Sequence, residues 1–180
     1  CSSNSHTTIA RTLHGHFMSP NYLIHPGPSA TTGFVASDDM GLYHKNGVAQ
    51  VNFLIRIPCS VYNGSRAVST IIQYGHGLFG SRAEAMDDYL GRVSNNYGAL
   101  IVATDWKGMS KYDVPMALRI FTKKIEEFSS MPERTQQGWI DMQLFMKMLR
   151  NKKIGLRHNE HLMVKPVKGK ETKFIIDETT

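Results

Sequence analysis

The 180-residue sequence has no apolar run near the ~20 residues that a membrane-spanning helix needs. Its polar first residues show no signal-peptide pattern and no initiator methionine, so we expect that something upstream was removed or is missing. Only two cysteines occur, Cys1 and Cys59, and they leave open a disulfide, a bond to another segment or free thiols. A hydrophobic content of 41% excludes wholesale disorder and predicts a soluble folded chain.

Acidic residues are too few to balance the basic ones, and the formal net charge is +6. Seven lysines and arginines crowd the last thirty residues. That stretch has few aromatic residues to stack on bases and no known nucleic-acid motif, so no nucleic-acid partner is expected. A solvated basic loop is the favoured interpretation, and an acidic partner or an anionic membrane surface stays open.

The hydrophobic pattern predicts one α/β domain with three parts. Residues 1–31 read as irregular, residues 32–150 as sheet and helices, and residues 151–180 as a polar basic tail. We expect a partial α/β fold, with a mostly parallel sheet and an antiparallel N-terminal lead-in.

Three segments carry strand patterns. Residues 50–57 alternate apolar and polar side chains, whereas residues 67–74 and 99–104 are continuous apolar runs typical of buried parallel strands. A capping box at residues 81–84 predicts a helix that ends before Gly98. Further helices are expected over residues 114–129, behind Asp113 as a cap, and over residues 132–150.

The most informative motif is the stretch Tyr-Gly-His-Gly-Leu-Phe-Gly-Ser at residues 74–81. A buried strand ends in His-Gly, a glycine-spaced turn follows, and a helix then begins. Acyl-transfer catalysis needs backbone N–H groups that point at a developing oxyanion, and glycines let the chain turn tightly enough to present them.

This segment resembles the His-Gly oxyanion loop of the α/β-hydrolase superfamily, in its esterase and lipase branches. Residues 99–108 resemble the next strand and loop of that family, and the helix through Trp139 resembles the one before the nucleophile strand. The resemblance covers roughly residues 33–150. It implies that the Leu78 N–H donates to the oxyanion, that His76 and Gly77 shape the loop, and that the substrate is an ester or a lipid.

The same family carries its nucleophile in Gly-x-Ser-x-Gly, followed by an acid and a catalytic histidine. No Gly-x-Ser-x-Gly occurs in these 180 residues. The resemblance therefore predicts the N-terminal half of a serine hydrolase, inactive alone and without a cofactor. A missing C-terminal half or another chain would cover its sheet edge. The alternative is a non-catalytic hydrolase-like subunit of a larger assembly.

Other sites fit the sequence less well. Gly75, Gly77 and Gly80 satisfy the bare dinucleotide-binding pattern, but Asp105, the one acidic residue at the end of the next strand, lies farther away than the usual ~20 positions. We interpret Asp105 as a loop-capping residue. The pairs His14/His16 and His158/His161 lack further ligands, so no metal site is expected. A glycosylation acceptor sequence begins at Asn63 and favours a secreted protein.

Overall fold

The computed structural model describes residues 1, 7–25, 27 and 42–151. Within them the chain forms four strands, four α-helices and three short 3-10 helices. The strands are β1 (Ile9–Pro20), β2 (Val48–Pro58), β3 (Thr70–Tyr74) and β4 (Ala99–Thr104). The α-helices are α1 (Cys59–Tyr62), α2 (Asp88–Tyr97), α3 (Val114–Lys123) and α4 (Ser130–Arg150), and the 3-10 helices are Arg82–Met86, Lys111–Asp113 and Ile125–Glu127.

The four strands form one mixed sheet in the order β1-β2-β4-β3. β1 runs antiparallel to β2, β2 runs antiparallel to β4, and only β3 and β4 are parallel. The expected α/β class is confirmed, but the mostly parallel sheet is not, because the long β1–β2 pairing makes antiparallel contacts dominate. The parallel neighbourhood of β3 and β4, on which the candidate site depends, was predicted correctly.

β1 lies within residues 1–31, which the sequence pattern predicts to be irregular, and that prediction is wrong. Its inward positions include Gly15 and Ser19 as well as Leu13 and Phe17, so the apolar alternation is interrupted. A side chain at position 15 would collide with the ring of Phe53, and this close approach explains the glycine. Two further segments whose sequences predict short extended pieces, residues 33–37 and 174–177, lie outside the described residues.

Helices cover both faces of the sheet. On one face α4 packs Phe145 against Phe53, with ring centroids 5.0 Å apart, and buries Leu149 completely. On the other face α2 contributes Leu90 to a cluster with Leu54 and Ile101. Since every residue of β4 is buried, this strand forms the centre of a three-layer arrangement.

The two cysteines form a disulfide, Cys1–Cys59, which joins the first residue to the start of α1. The bond closes a loop with a sequence separation of 58, so it limits the freedom of the unfolded chain. Asn63 is exposed in the turn that follows α1. Among the described residues, no helix is long and apolar enough to cross a membrane.

Loss of this disulfide is expected to destabilise the protein. A Cys59→Ala substitution should lower the free energy of unfolding by about 2–5 kcal/mol, chiefly because the unfolded chain regains the loop entropy. Chemical denaturation with and without reductant measures the effect. A reductant should shift the unfolding midpoint of the original protein but not that of Cys59→Ala. Equal shifts in the two proteins would show that the disulfide is not responsible for the difference in stability.

Candidate active site

The expected oxyanion loop leaves the carboxyl end of β3, next to the carboxyl end of β4. Its residues differ sharply in exposure: His76 is 3% exposed, whereas Leu78 is 64% exposed. A buried polar ring next to an exposed apolar residue reverses the usual distribution. The hydrogen bonds of His76 explain the inversion.

Both ring nitrogens of His76 have main-chain partners. Nε2 accepts the N–H of Trp106 at 2.8 Å, and Nδ1 lies 2.7 Å from the carbonyl oxygen of Gly77. A nitrogen that accepts an amide N–H carries no hydrogen, so Nδ1 is the protonated nitrogen and donates to Gly77. The imidazole therefore links the His76–Gly80 loop to the loop that follows β4.

The Gly77–Leu78 peptide group is the centre of the site. Its carbonyl oxygen accepts from His76 Nδ1 and also from the Gly80 N–H at 3.0 Å. Because a trans peptide places its C=O and N–H on opposite sides, fixing this carbonyl fixes the direction of the Leu78 N–H. That N–H has no acceptor among the described residues.

The neighbouring N–H groups of the loop are already engaged. Gly77 N–H donates to Glu84 Oε2 at 3.1 Å, and Phe79 N–H donates to the carbonyl of Met109 at 2.6 Å. Phe79 has φ = 58°, a left-handed conformation that costs a side-chain-bearing residue roughly 1–3 kcal/mol. The hydrogen bonds of the surrounding residues hold Phe79 in this strained conformation. Since the Gly77 and Phe79 amides are engaged, the Leu78 N–H between them is the donor that remains available among the described contacts.

Glu84 has a different role from the one that the capping-box pattern predicted. Ser81 is at the N-cap of the 3-10 helix Arg82–Met86 but makes no side-chain cap hydrogen bond. Glu84 instead reaches back to the Gly77 N–H. A side chain at position 80 would collide with the Glu84 carboxylate, so a glycine there allows this contact.

The loop after β4 supports the His76–Gly80 loop through hydrogen bonds. Trp106 binds His76, Met109 accepts from Phe79, and the Lys111 N–H donates to the Gly80 carbonyl at 2.7 Å. Asp105, interpreted from sequence as a loop-capping residue, accepts the Arg82 N–H at 3.0 Å and forms an ion pair with its guanidinium. The two loops thus form one hydrogen-bonded unit.

A buried ion pair anchors that unit to α4. Asp113 accepts from Gly108 N–H at 2.9 Å and from Ser110 Oγ at 2.6 Å, and its other oxygen accepts from Arg134 at 2.9 Å. Both side chains of the pair are almost completely buried. Asp113 stands before α3 as expected, but its carboxylate caps the 3-10 turn that begins after Ser110 rather than α3.

Gly138 lets the Trp106 loop lie directly on α4. A Cβ at this position would be 2.5 Å from Trp106 Cδ1 and 2.8 Å from the Lys107 carbonyl oxygen. We therefore expect Gly138→Ala to destabilise the fold by about 1–3 kcal/mol and to move the loop that holds His76. Thermal unfolding measures the stability, and tryptophan fluorescence reports the loop.

The matched control for Gly138→Ala is Gly75→Ala. At position 75 the nearest atom to an added Cβ is 3.7 Å away, an ordinary contact. Equal destabilisation by the two substitutions would contradict the steric explanation.

Tyr74, the last residue of β3, is not suited to act as a base. A side-chain hydrogen bond with Tyr89, together with burial, raises the pKa of Tyr74 to about 12. The phenol therefore keeps its proton at neutral pH. The sign of the shift means that the contact stabilises the fold below pH 10, and this contribution is lost as the pH rises through about 12.

The alternative sites receive little support from the described residues. No group of three or more metal-ligating side chains occurs among them, and His14 and His16 are exposed on β1. The glycine loop leads into the 3-10 helix Arg82–Met86 and not directly into an α-helix, because α2 begins only at Asp88, with Asp87 and Asp88 at its N-terminus. Acidic residues there disfavour a bound pyrophosphate. His158 and His161 lie outside the described residues.

Comparisons with known proteins add no family assignment: no family model, no curated protein and no solved structure matches this chain.

Proposed function

We propose that this chain is the N-terminal, oxyanion-loop part of a serine hydrolase that acts on carboxylic esters. The observation that supports the proposal best is the Leu78 N–H. It belongs to a peptide group whose carbonyl accepts two hydrogen bonds, and it has no acceptor of its own among the described residues. A preorganised N–H of this kind is what a tetrahedral oxyanion requires.

In the proposed reaction a serine activated by histidine attacks the ester carbonyl carbon. The carbonyl oxygen becomes an oxyanion and accepts the Leu78 N–H, while His76 and Gly77 keep that peptide group in place. The alcohol then leaves with a proton from the catalytic histidine, and water hydrolyses the acyl-enzyme. His76 is not that histidine, because both of its ring nitrogens already bind main-chain groups.

The order of the strands supports one position for the proposed nucleophile strand. The second oxyanion donor of an α/β-hydrolase is the residue after the serine, so the nucleophile strand has to end beside the oxyanion loop. β4 already has β2 and β3 on its two sides, whereas β3 pairs only with β4 among the described strands. The outer edge of β3 is thus the proposed place for the nucleophile strand, from the same polypeptide or from another.

A fluorophosphonate probe tests the proposal, because it reacts covalently with activated serines. It should be applied to the protein as isolated from its natural source, together with any polypeptide that accompanies this chain. Labelling that maps to a serine in Gly-x-Ser-x-Gly and disappears after heat denaturation is the expected result. Absence of labelling in the intact assembly would instead favour a non-catalytic, hydrolase-like subunit.

A further inference from the structure

A polar cleft of about 330 Å³ lies beyond the carboxyl end of β4, between the first residues of β2 and α4. Its volume is within the range of small-molecule sites, and ligands of α/β sheets commonly bind at the carboxyl ends of strands. The side chains that matter for recognition are Gln50, Asn52, Asp105, Lys107, Tyr112 and Asp141.

The charges around this cleft balance in pairs. Asp105 pairs with Arg82, and Asp113 pairs with Arg134. The third pair is Lys107–Asp141, in which Nζ and Oδ2 are 3.5 Å apart. A charged ligand of either sign is therefore disfavoured. Three carboxylates would repel an anionic ligand, and the cations that neutralise them would repel a cationic one.

The Lys107–Asp141 pair is incompletely satisfied. Asp141 Oδ1 accepts from Ser19 and from Gln137, but Oδ2 and Lys107 Nζ are buried without a hydrogen-bond partner among the residues that the structure describes. The Asp141 side chain is only 2% exposed, and that of Lys107 is 14% exposed. Buried polar atoms of this kind need a partner, because leaving them unpaired costs free energy.

One group that satisfies both atoms is a hydroxyl, which accepts from the ammonium and donates to the carboxylate. The side-chain amides of Gln50 and Asn52 are exposed at the same cleft and offer further donors and acceptors, while the half-exposed ring of Tyr112 supplies apolar surface. We propose that the cleft binds a neutral polyhydroxylated group, a sugar or a polyol, and that the partly exposed Lys107 side chain moves to admit one hydroxyl between its ammonium and Asp141. This proposal does not depend on the hydrolase activity.

Titration calorimetry of the intact protein tests the site with methyl β-D-glucopyranoside and with glycerol, and gluconate serves as the anionic comparison. We expect saturable binding of at least one of the two neutral compounds. The comparison of methyl β-D-glucopyranoside with glycerol shows whether the cleft prefers a sugar or a polyol. Gluconate should bind about tenfold more weakly or not at all. The absence of saturable binding by both neutral compounds, or tighter binding of gluconate, would overturn the proposal.

Two variants locate the binding in the cleft. Lys107→Met should weaken it about tenfold or more, because it removes a charged hydrogen-bond donor. Asn52→Ala changes only an exposed side chain and should also weaken binding, so the test holds even if the buried substitution impairs folding. Lys124→Met, at an exposed lysine paired with Glu126, is the control that should bind normally. Unchanged affinity in both cleft variants would place the ligand elsewhere and refute the inference.

Discussion

His76→Ala is expected to lower kcat for ester hydrolysis about 10²-fold in the complete hydrolase, the scale of losing one oxyanion donor. The imidazole does not touch the substrate in this proposal. It holds the Gly77 carbonyl together with the Gly80 N–H, and without the imidazole only the Gly80 hydrogen bond remains, so the direction of the Leu78 N–H is held less firmly. Since the interaction with the oxyanion exists only in the transition state, kcat should fall while KM stays nearly constant.

His16→Ala is the matched control for this experiment, because His16 is exposed on β1 and belongs to none of the loop contacts. Thermal unfolding of both variants separates a positioning effect from a loss of structure. A normal kcat in a folded His76→Ala variant would remove the proposed link between this imidazole and catalysis. If serine labelling is retained in that variant, the hydrolase assignment itself would still stand.

The largest loss of stability is expected at the buried ion pair of α4. Arg134→Met removes the partner of Asp113 and leaves a buried carboxylate that still accepts from Gly108 and Ser110 but has no counter-ion. Breaking one side of such a pair typically costs about 3–5 kcal/mol. Urea denaturation of the variant and the original protein measures the change.

Arg119→Met provides the comparison for Arg134→Met. Arg119 also pairs with a carboxylate, Glu127, but its side chain is 42% exposed, so its loss should cost no more than about 1 kcal/mol. Similar destabilisation by the two substitutions would show that burial does not determine the strength of the Arg134–Asp113 pair. A reduced oxyanion-loop stability in Arg134→Met should also appear as faster hydrogen exchange at the Phe79 amide.

The sequence predicted those parts of the fold that short apolar runs define. The parallel pair β3–β4, the loop between Tyr74 and Ser81, and α4 to within two residues of its start all follow from local patterns. β1 was missed because Gly15 and Ser19 occupy inward positions where an apolar residue would have revealed the strand. The inward series Leu13, Gly15, Phe17 and Ser19 is recognisable as a strand pattern only if small residues are accepted at inward positions.

The contacts that organise the site were beyond local patterns. Ser81 and Glu84 have the spacing of a capping box, yet the nearby Gly77 amide takes the carboxylate instead. Arg134 and Asp113 are separated by 21 positions and lie on different elements, so no periodicity relates them. Trp106 binds His76 through its main-chain N–H, and a main-chain contact leaves no trace in residue type.

The proposed donor of this site is a main-chain group, and its side chain points away into solvent at Leu78. Natural selection can therefore change the residue at position 78 with little effect on the amide, whereas positions 76 and 80 tolerate little change because of their contacts. Among natural variants of this protein, we expect the residue type to vary at position 78 and to be nearly invariant at positions 76 and 80. A laboratory library of substitutions at position 78 should therefore change the side chain at the edge of the proposed reaction centre and leave the amide donor in place.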